Sequence, residues 1–509
     1  MKTLITSALP YANGPLHLGH LAGVYIPADI YTRHKKLQKE ETLHICGSDE
    51  HGVGIIKKAR EAKQSYKDYV EQWRNSHQET FEKWSVHFDH YSKTSNNPLH
   101  EKESQQWFEH LQQENFIEKA QDLQWQCQDC KEYLPDRFIL GTCYNCGFDK
   151  ARGDECSKCG EWIEASKLLQ PECQFCFSKN LILQEDYQYV LKTSLKQADL
   201  QDWLNKSSPE WRPWVKDYVQ SFYNQPLVSR TISRNLDWGI FVPNEKEKRL
   251  YVWFDAPIGY VTFLKELGKE WNDYKIIQFL GKDNVIFHGI IFPMMCLGNH
   301  HKPADILVGS QYLNISSEKL SKSDSSFSLK DLEEKYPIEY LRYYLITTLP
   351  QYQDSEFSED QLISKVNTDL ANVLGNLYSR VLKFYLKNNE PFFTFKRCYD
   401  YQFPHLQLLD EIKIKESLEE LMNYVRFLNK EITEKAPWKQ ESSLQKAILE
   451  EFLAELLLIS MYFQPFVPTI AKKLQNIFHS SEEFYPNIAS LENKQFSLHL
   501  PEEFFPKLL

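Results

Sequence analysis

Residues 3–48 read TLITSALPYANGPLHLGHLAGVYIPADIYTRHKKLQKEETLHICGS, and this stretch decides the fold. A short apolar run predicts a strand over residues 3–9. A glycine-bearing turn follows, then apolar residues at helical spacing over 18–37, then a second apolar run over 42–48. Strand, turn, helix and strand make a βαβ unit, whose two strands run parallel in one sheet.

Helical patterns continue over residues 60–115. Cysteine pairs, aromatic runs and turn residues then break the alternation until it resumes with a strand at 275–280, a helix at 288–297 and a strand at 304–309. The two halves therefore complete one parallel sheet. The expected architecture is α/β: a split Rossmann-type catalytic domain in two halves (1–115 and 226–329), a cysteine-rich insertion (116–225) and a C-terminal helical bundle (330–509), where no strand signal is seen.

With 509 residues, 42% of them hydrophobic, the chain can bury a large core. A formal charge of −11 argues against a protein that coats nucleic acid nonspecifically, because such binding needs many cationic contacts to phosphate. The longest apolar stretch, 452–470, is interrupted by Glu455, Gln464, Pro465 and Pro468 and reads as a buried bundle helix, so no membrane span is expected. Residues 2–10 are too short and polar for a secretory signal, which makes the cytoplasm the expected compartment.

His17 and His20 fall where the first strand turns into its helix, with Gly14 and Gly19 letting backbone approach a ligand. A helix start at a βα turn of an open sheet favours anions, so two imidazoles there can donate to a triphosphate. A second loop, Ser316-Ser317-Glu318-Lys319-Leu320-Ser321-Lys322-Ser323, follows the last predicted strand. Alone, the first motif also suits packed histidines in a turn, and the second suits a solvated linker. Together they occupy the strand ends of both sheet halves, where ligands of such sheets bind. The pair thus predicts an ATP-using enzyme that adenylates a carboxylic acid, with Lys322, assisted by Lys319, neutralising the departing pyrophosphate.

Eight of the eleven cysteines form four Cys-x-x-Cys pairs: Cys127/Cys130, Cys143/Cys146, Cys156/Cys159 and Cys173/Cys176. In a long chain without a secretion signal this spacing points to metal rather than disulfides, and four pairs suit two closed, structural Zn2+ sites.

His17-Leu18-Gly19-His20 and Lys319-Leu320-Ser321-Lys322-Ser323 resemble the HIGH and KMSKS signatures of the class I aminoacyl-tRNA synthetases. The likeness is closest to the methionyl-tRNA synthetases, through residues 8–15 (ALPYANGP), 252–260 (VWFDAPIGY), 281–284 (GKDN) and 436–438 (APW). It implies L-methionine, ATP with Mg2+, and tRNA(Met) as partners. Methionine's carboxylate would attack the α-phosphate, and the adenylate would then esterify the terminal ribose of the tRNA. By position it implies that His17, Gly19, His20, Arg234, Lys319 and Lys322 contact ATP. Ala8, Leu9, Tyr11, Trp253, Ala256, Pro257, Tyr260 and His288 would wall the methionine side chain, with Asp49 on its ammonium and His288 and Tyr11 available to the sulfur. On spacing alone, Trp253 and Tyr260 read as core aromatics.

The same likeness pairs Cys143/Cys146 with Cys156/Cys159, leaving Cys127/Cys130 with Cys173/Cys176. It assigns Trp438, Asn376, Arg380 and Asn429 to the anticodon. Leu320 replaces the signature methionine, and Asn284 stands where some relatives carry isoleucine. A synthetase for isoleucine, valine, leucine or cysteine is the first rival, although an insertion of 110 residues filled with cysteine pairs is too small for the editing domain of the first three. A tRNA-independent nucleotidyltransferase and a non-catalytic zinc module are the others. A monomer is expected.

Overall fold

The computed structural model describes residues 2–135, 138–153, 156–159, 163–315, 328–396, 404–478, 491–501 and 504–509. Lys319 and Lys322 lie outside them.

Five strands form the central sheet: β1 (Thr3–Ser7), β2 (Thr42–Ser48), β3 (His90–Lys93), β4 (Lys275–Gly281) and β5 (Ile306–Ser310). Their order is β5-β4-β1-β2-β3, with every neighbouring pair parallel. β1 and β5 are buried along their whole length, as expected of strands covered by helices on both faces. The chain moves from β1 toward β3 on one side and later from β4 to β5 on the other. Strand order therefore reverses at β1, which opens a crevice beyond the carboxyl ends of β1 and β4. The alternation of residues 3–48 foretold β1 and β2; β3, whose four residues His-Tyr-Ser-Lys are all half-buried, carries no period to read.

Two helices on the crevice contain wide π turns. The first runs through Leu18–His20, Leu21–Tyr25 and Ile26–Leu37, and the second through Phe287–Ile291 and Phe292–Gly298, the first segment after His20 and the one holding His288 being π. Such turns rotate following side chains off the ordinary helical register and recur at functional sites. A period of 3.6 cannot reveal them.

Between the sheet halves, Ile117–Cys127 pairs antiparallel with Leu181–Leu191 in unbroken register, a long ribbon carrying the cysteine pairs at its far end. Helices Gln197–Ser207 and Pro213–Tyr223 return to the sheet, where Trp203 Nε1 donates to Ala304 O (2.9 Å) and Trp211 Nε1 to Asp305 O (3.0 Å). The C-terminal part is mainly helical, as expected. It also holds three short strands that the sequence reading lacked: Ser355–Phe357 pairs with Leu313–Ile315, and Phe392–Thr394 with Gln495–Ser497. Three residues are too few to show alternation, and these strands arise from tertiary pairing.

A buried ion pair joins the two regions. Arg342 donates to Asp29 Oδ2 (2.5 Å), to Trp84 O and to Phe466 O (2.7 Å each), so its guanidinium is satisfied from both sides of the junction. Removing one partner of a pair this buried costs about 3–5 kcal/mol. Ser442–Tyr462, which holds the first part of the apolar stretch noted above, is a buried bundle helix, the rest of the stretch forming a turn and the start of helix Pro468–Gln475, and among the described residues no helix is long and apolar enough to cross a membrane.

Candidate active site

β1 and β2 keep pairing past their ends: Asp49 N donates to Pro10 O and Ala12 N to Asp49 O, both at 2.9 Å. This extension sets Tyr11 beside Asp49 at the floor of the crevice. Gly52, at φ +100°, turns the chain away into helix Val53–Ala62, and a Cβ on Gly54 would meet the Tyr11 ring at 2.8 Å. Both glycines are there so that the Tyr11 ring can lie against the turn.

The crevice has a volume of about 670 Å³. All nine side chains expected around methionine line it: Ala8, Leu9, Tyr11, Asp49, Trp253, Ala256, Pro257, Tyr260 and His288. His17, Gly19 and His20 line it too, so one cavity gathers the amino-acid and phosphate candidates. Arg234 is next door rather than in the wall. It lies on the hairpin Ser233–Asn235/Lys248–Leu250, its guanidinium over the ring of Tyr251 at 4.3 Å, and Tyr251 lines the crevice.

The aromatic wall is fixed from behind. Trp253 stacks on Phe287, centroids 3.8 Å apart and planes within 5°. His288 Nδ1 lies 2.9 Å from Asn284 O and must donate to it, which leaves Nε2 to accept from the Tyr260 hydroxyl at 3.0 Å. Burial lowers His288 to about 4, so the ring is neutral and both nitrogens are engaged within the protein. The His288 ring forms part of the crevice wall. Asn284 acts on that wall through its backbone carbonyl, which any residue supplies.

Asp49 is the polar exception. Oδ1 is buried with no hydrogen-bond partner among the described residues. Burial, then the neighbouring charges of Asp255 and Glu50, raise its proton affinity well above the usual carboxylate range, against a partial counter-pull from the His51 backbone N–H. A buried carboxylate oxygen left unpaired costs stability unless a ligand meets it, and a cation is its natural complement.

At the helix start His17 and His20 stack, centroids 3.7 Å apart. The His17 backbone N–H donates to His20 Nδ1 (3.2 Å), so the His20 proton sits on Nε2. Burial, then His17 and His77, bring His20 down to about 3, and burial lowers His17. Burial favours the neutral form of both rings, which can offer N–H donors.

Both cysteine groupings form as expected from the resemblance: Cys127, Cys130, Cys173 and Cys176 in one, and Cys143, Cys146, Cys156 and Cys159 in the other. The sulfurs of Cys127 and Cys176 are 3.5 Å apart, of Cys130 and Cys173 3.7 Å, of Cys146 and Cys156 3.6 Å, and of Cys143 and Cys159 4.0 Å. Thiolates at the corners of a tetrahedron with arms of about 2.3 Å lie about 3.8 Å apart, so the spacing fits zinc and is far too long for disulfides.

In the helical part, Arg380 lies 5.1 Å over the Trp438 ring, and its Nη1 and Nη2 donate to Thr433 Oγ1 (3.3 Å). Ala436, at φ +40°, ends helix Ile414–Lys435 and turns Trp438 toward them. Asn429 is held by Val373 O (3.0 Å), and Asn376, exposed, starts the helix Asn376–Asn388 that carries Arg380.

Sequence reasoning missed three features of the crevice. Phe287 backs Trp253. Lys282, Asp283 and Tyr312 line the mouth, with the Tyr312 hydroxyl donating to Asp283. Asp255, fully buried, is held by His51 (2.7 Å) and His100 (3.5 Å) behind the floor. A lone carboxylate in the otherwise apolar run VWFDAPIGY was the legible sign of the last.

A split parallel sheet with paired histidines at the β1 turn, a crevice at the point of strand reversal and a helical C-terminal part define a class I synthetase. The family described as tRNA synthetases class I (M) matches residues 3–382. The methionine–tRNA ligase of Pyrococcus furiosus is 33% identical over 95% of this chain and 72% of its own length, and that of Thermoplasma acidophilum is 34% identical over 94% and 92%. A crystal structure of Mycobacterium tuberculosis methionyl-tRNA synthetase bound by methionyl-adenylate shares the fold, with a TM-score of 0.80, 19% identity and coverage of 99% of this chain and 100% of that one. The chain belongs to the methionine–tRNA ligase family of class I synthetases.

Proposed function

We infer that the protein activates L-methionine with ATP to methionyl-adenylate and passes the methionyl group to the 3′-terminal ribose of tRNA(Met). The observation that carries the substrate assignment is the unpaired Asp49 oxygen at the floor of an aromatic crevice that also contains the histidine pair. Asp49 takes the ammonium of methionine; Tyr11, Trp253, Pro257 and Tyr260, with Ala8, Leu9, Ala256 and the His288 ring, enclose the thioether, a polarisable group suited to aromatic edges. With the amine anchored, the carboxylate is turned toward the phosphates, and holding reactants in line supplies much of the rate.

His17 and His20 donate N–H hydrogen bonds to ATP oxygens, and Gly19 lets the backbone approach. Because burial favours the neutral form of both imidazoles, charge building on pyrophosphate falls to Lys319 and Lys322, with Arg234 assisting. Mg2+ accompanying ATP supplies further neutralisation. The two cysteine clusters hold one structural Zn2+ each. Trp438 and Arg380 present stacking surfaces to unpaired anticodon bases, and Asn376 and Asn429 read base edges. The split catalytic domain, the insertion and the helical anticodon-binding domain are placed at 1–115 with 226–329, 116–225 and 330–509. The protein acts in the cytoplasm as a monomer.

The test is competition in ATP–pyrophosphate exchange. Methioninol, which keeps the amine and lacks the carboxylate, should inhibit competitively with methionine, and 4-(methylthio)butanoate, which lacks the amine, should bind at least about 100-fold more weakly, as loss of a charge-assisted contact implies. Equal inhibition by the two compounds would overturn the role of Asp49. Lys322→Ala should lower the turnover number far more than ATP affinity; an unchanged turnover number would remove Lys322 from the mechanism.

A further inference from the structure

Arg234 sits on a hairpin too small to hold itself in place. Strands Ser233–Asn235 and Lys248–Leu250 have three residues each, and a two-stranded ribbon of that size is marginal without outside support. Successive side chains of a strand point to opposite faces, so Ser233 and Asn235 face one way and Arg234 the other. The first two face the long ribbon of the insertion. Ser233 Oγ donates to Gln188 Oε1 (2.5 Å) and accepts from the Tyr189 backbone N–H (2.9 Å), while Asn235 Nδ2 donates to Asp186 Oδ2 (2.7 Å). Arg234, on the opposite face, lies over Tyr251 of the crevice wall. Its Nη1 donates to Thr231 O (3.2 Å) and Ser233 O (2.7 Å), so the guanidinium follows the hairpin backbone.

Lys248 stands directly across the hairpin from Asn235 and is almost fully buried, an unusual place for an ammonium. Nζ donates to Asp186 Oδ1 (3.1 Å) and Oδ2 (2.9 Å) on the ribbon and to Asn235 Oδ1 (2.9 Å) on the hairpin, and it lies 4.2 Å over the Tyr187 ring. One buried charge therefore ties the ribbon to the residue beside Arg234. We propose that Lys248 is a positioning residue for adenylation: with Asp186 it bolts the hairpin to the insertion, and so aims the Arg234 guanidinium at the phosphates. This rests on Arg234 meeting ATP, as inferred above. Apolar side chains of similar size would hold the two elements together about as tightly, whereas hydrogen bonds from the ammonium also fix their direction. Among the described residues none from 116 to 225 lines the crevice, so the insertion acts on the chemistry only through such ties.

The experiment is a double-mutant cycle in ATP–pyrophosphate exchange with the wild type, Lys248→Met, Arg234→Ala and the two combined, each checked by thermal unfolding. Lys248→Met keeps the stem and removes the ammonium. It should lower kcat about 10- to 100-fold, as a misplacement of about 1 Å does, with KM for methionine within about twofold. Added to Arg234→Ala it should cost no more than about twofold beyond Arg234→Ala alone, because the guanidinium it positions is already gone. A combined loss equal to the product of the two single losses would overturn the proposal, since Lys248 would then act independently of Arg234. A Lys248→Met enzyme with wild-type kcat, or one whose whole loss lies in KM for methionine, would overturn it too. An Arg234→Ala enzyme with wild-type kcat would instead remove the Arg234 contact with ATP, and the proposal with it. Should Lys248→Met not fold, Asp186→Asn takes its place in the same cycle with the same expected outcomes.

Discussion

The crevice and the two cysteine clusters solve opposite problems. In the crevice, polar groups are left with capacity to spare: Asp49 Oδ1 has no partner among the described residues, and burial favours the neutral forms of His17 and His20. In the clusters, four sulfurs converge on one another beside a small core that includes Leu134, Phe138, Ile139, Ile163 and Leu168. The first arrangement suits a ligand that arrives and leaves within each catalytic cycle. The second suits an ion that stays and braces the small core of the insertion.

Breaking the permanent side should have the largest effect. Structural zinc contributes about 10–16 kcal/mol in isolated finger peptides, so Cys173→Ser should take metal content from two zincs per chain to about one and open the insertion to protease. Unchanged metal content would dissolve the contrast. On the transient side, Trp438→Ala should reduce charging of tRNA(Met) by about 5- to 150-fold, as loss of a stacked base costs about 1–3 kcal/mol, while ATP–pyrophosphate exchange stays near normal. Equal loss in both assays would make Trp438 a packing residue.

Acid should expose the cost of the neutral rings. His44 and His288 are lowered by burial to about 4 and His20 to about 3, whereas in the unfolded chain each takes a proton near 6.5. The unfolded state then binds more protons below 6.5, so this contribution to stability is fully present above that pH and is lost as pH falls toward 4. At pH 5 the loss is about 2 kcal/mol per ring, and thermal unfolding should show a falling Tm between pH 6.5 and 5. A flat profile would place these rings in water. The smallest effect is expected at Asn284→Ile: the carbonyl that orients His288 is kept, and KM for methionine should change by no more than about threefold.

Legibility in the sequence followed the same division. β1, β2, β4 and β5 could be read because strands covered on both faces carry clustered Ile, Leu, Val or Phe, and the cysteine pairs could be read because metal chemistry fixes their spacing. The crevice residues were reachable only through long stretches of family likeness, since Trp253 or Tyr260 in an apolar helix looks like any core aromatic. What stayed hidden was set by three-dimensional pairing: the π turn that rotates His288, the edge strand β3, the short strands Ser355–Phe357 and Phe392–Thr394, and the His51–Asp255–His100 cluster, whose members are up to 204 residues apart. The placement of Arg234 on a hairpin beside the crevice, rather than in its wall, is of the same kind.

The central claim is that this crevice selects methionine. ATP–pyrophosphate exchange measured with each of the twenty amino acids in turn tests it most directly: methionine alone should drive exchange at low concentration, while exchange driven by leucine or cysteine in its place would contradict the account.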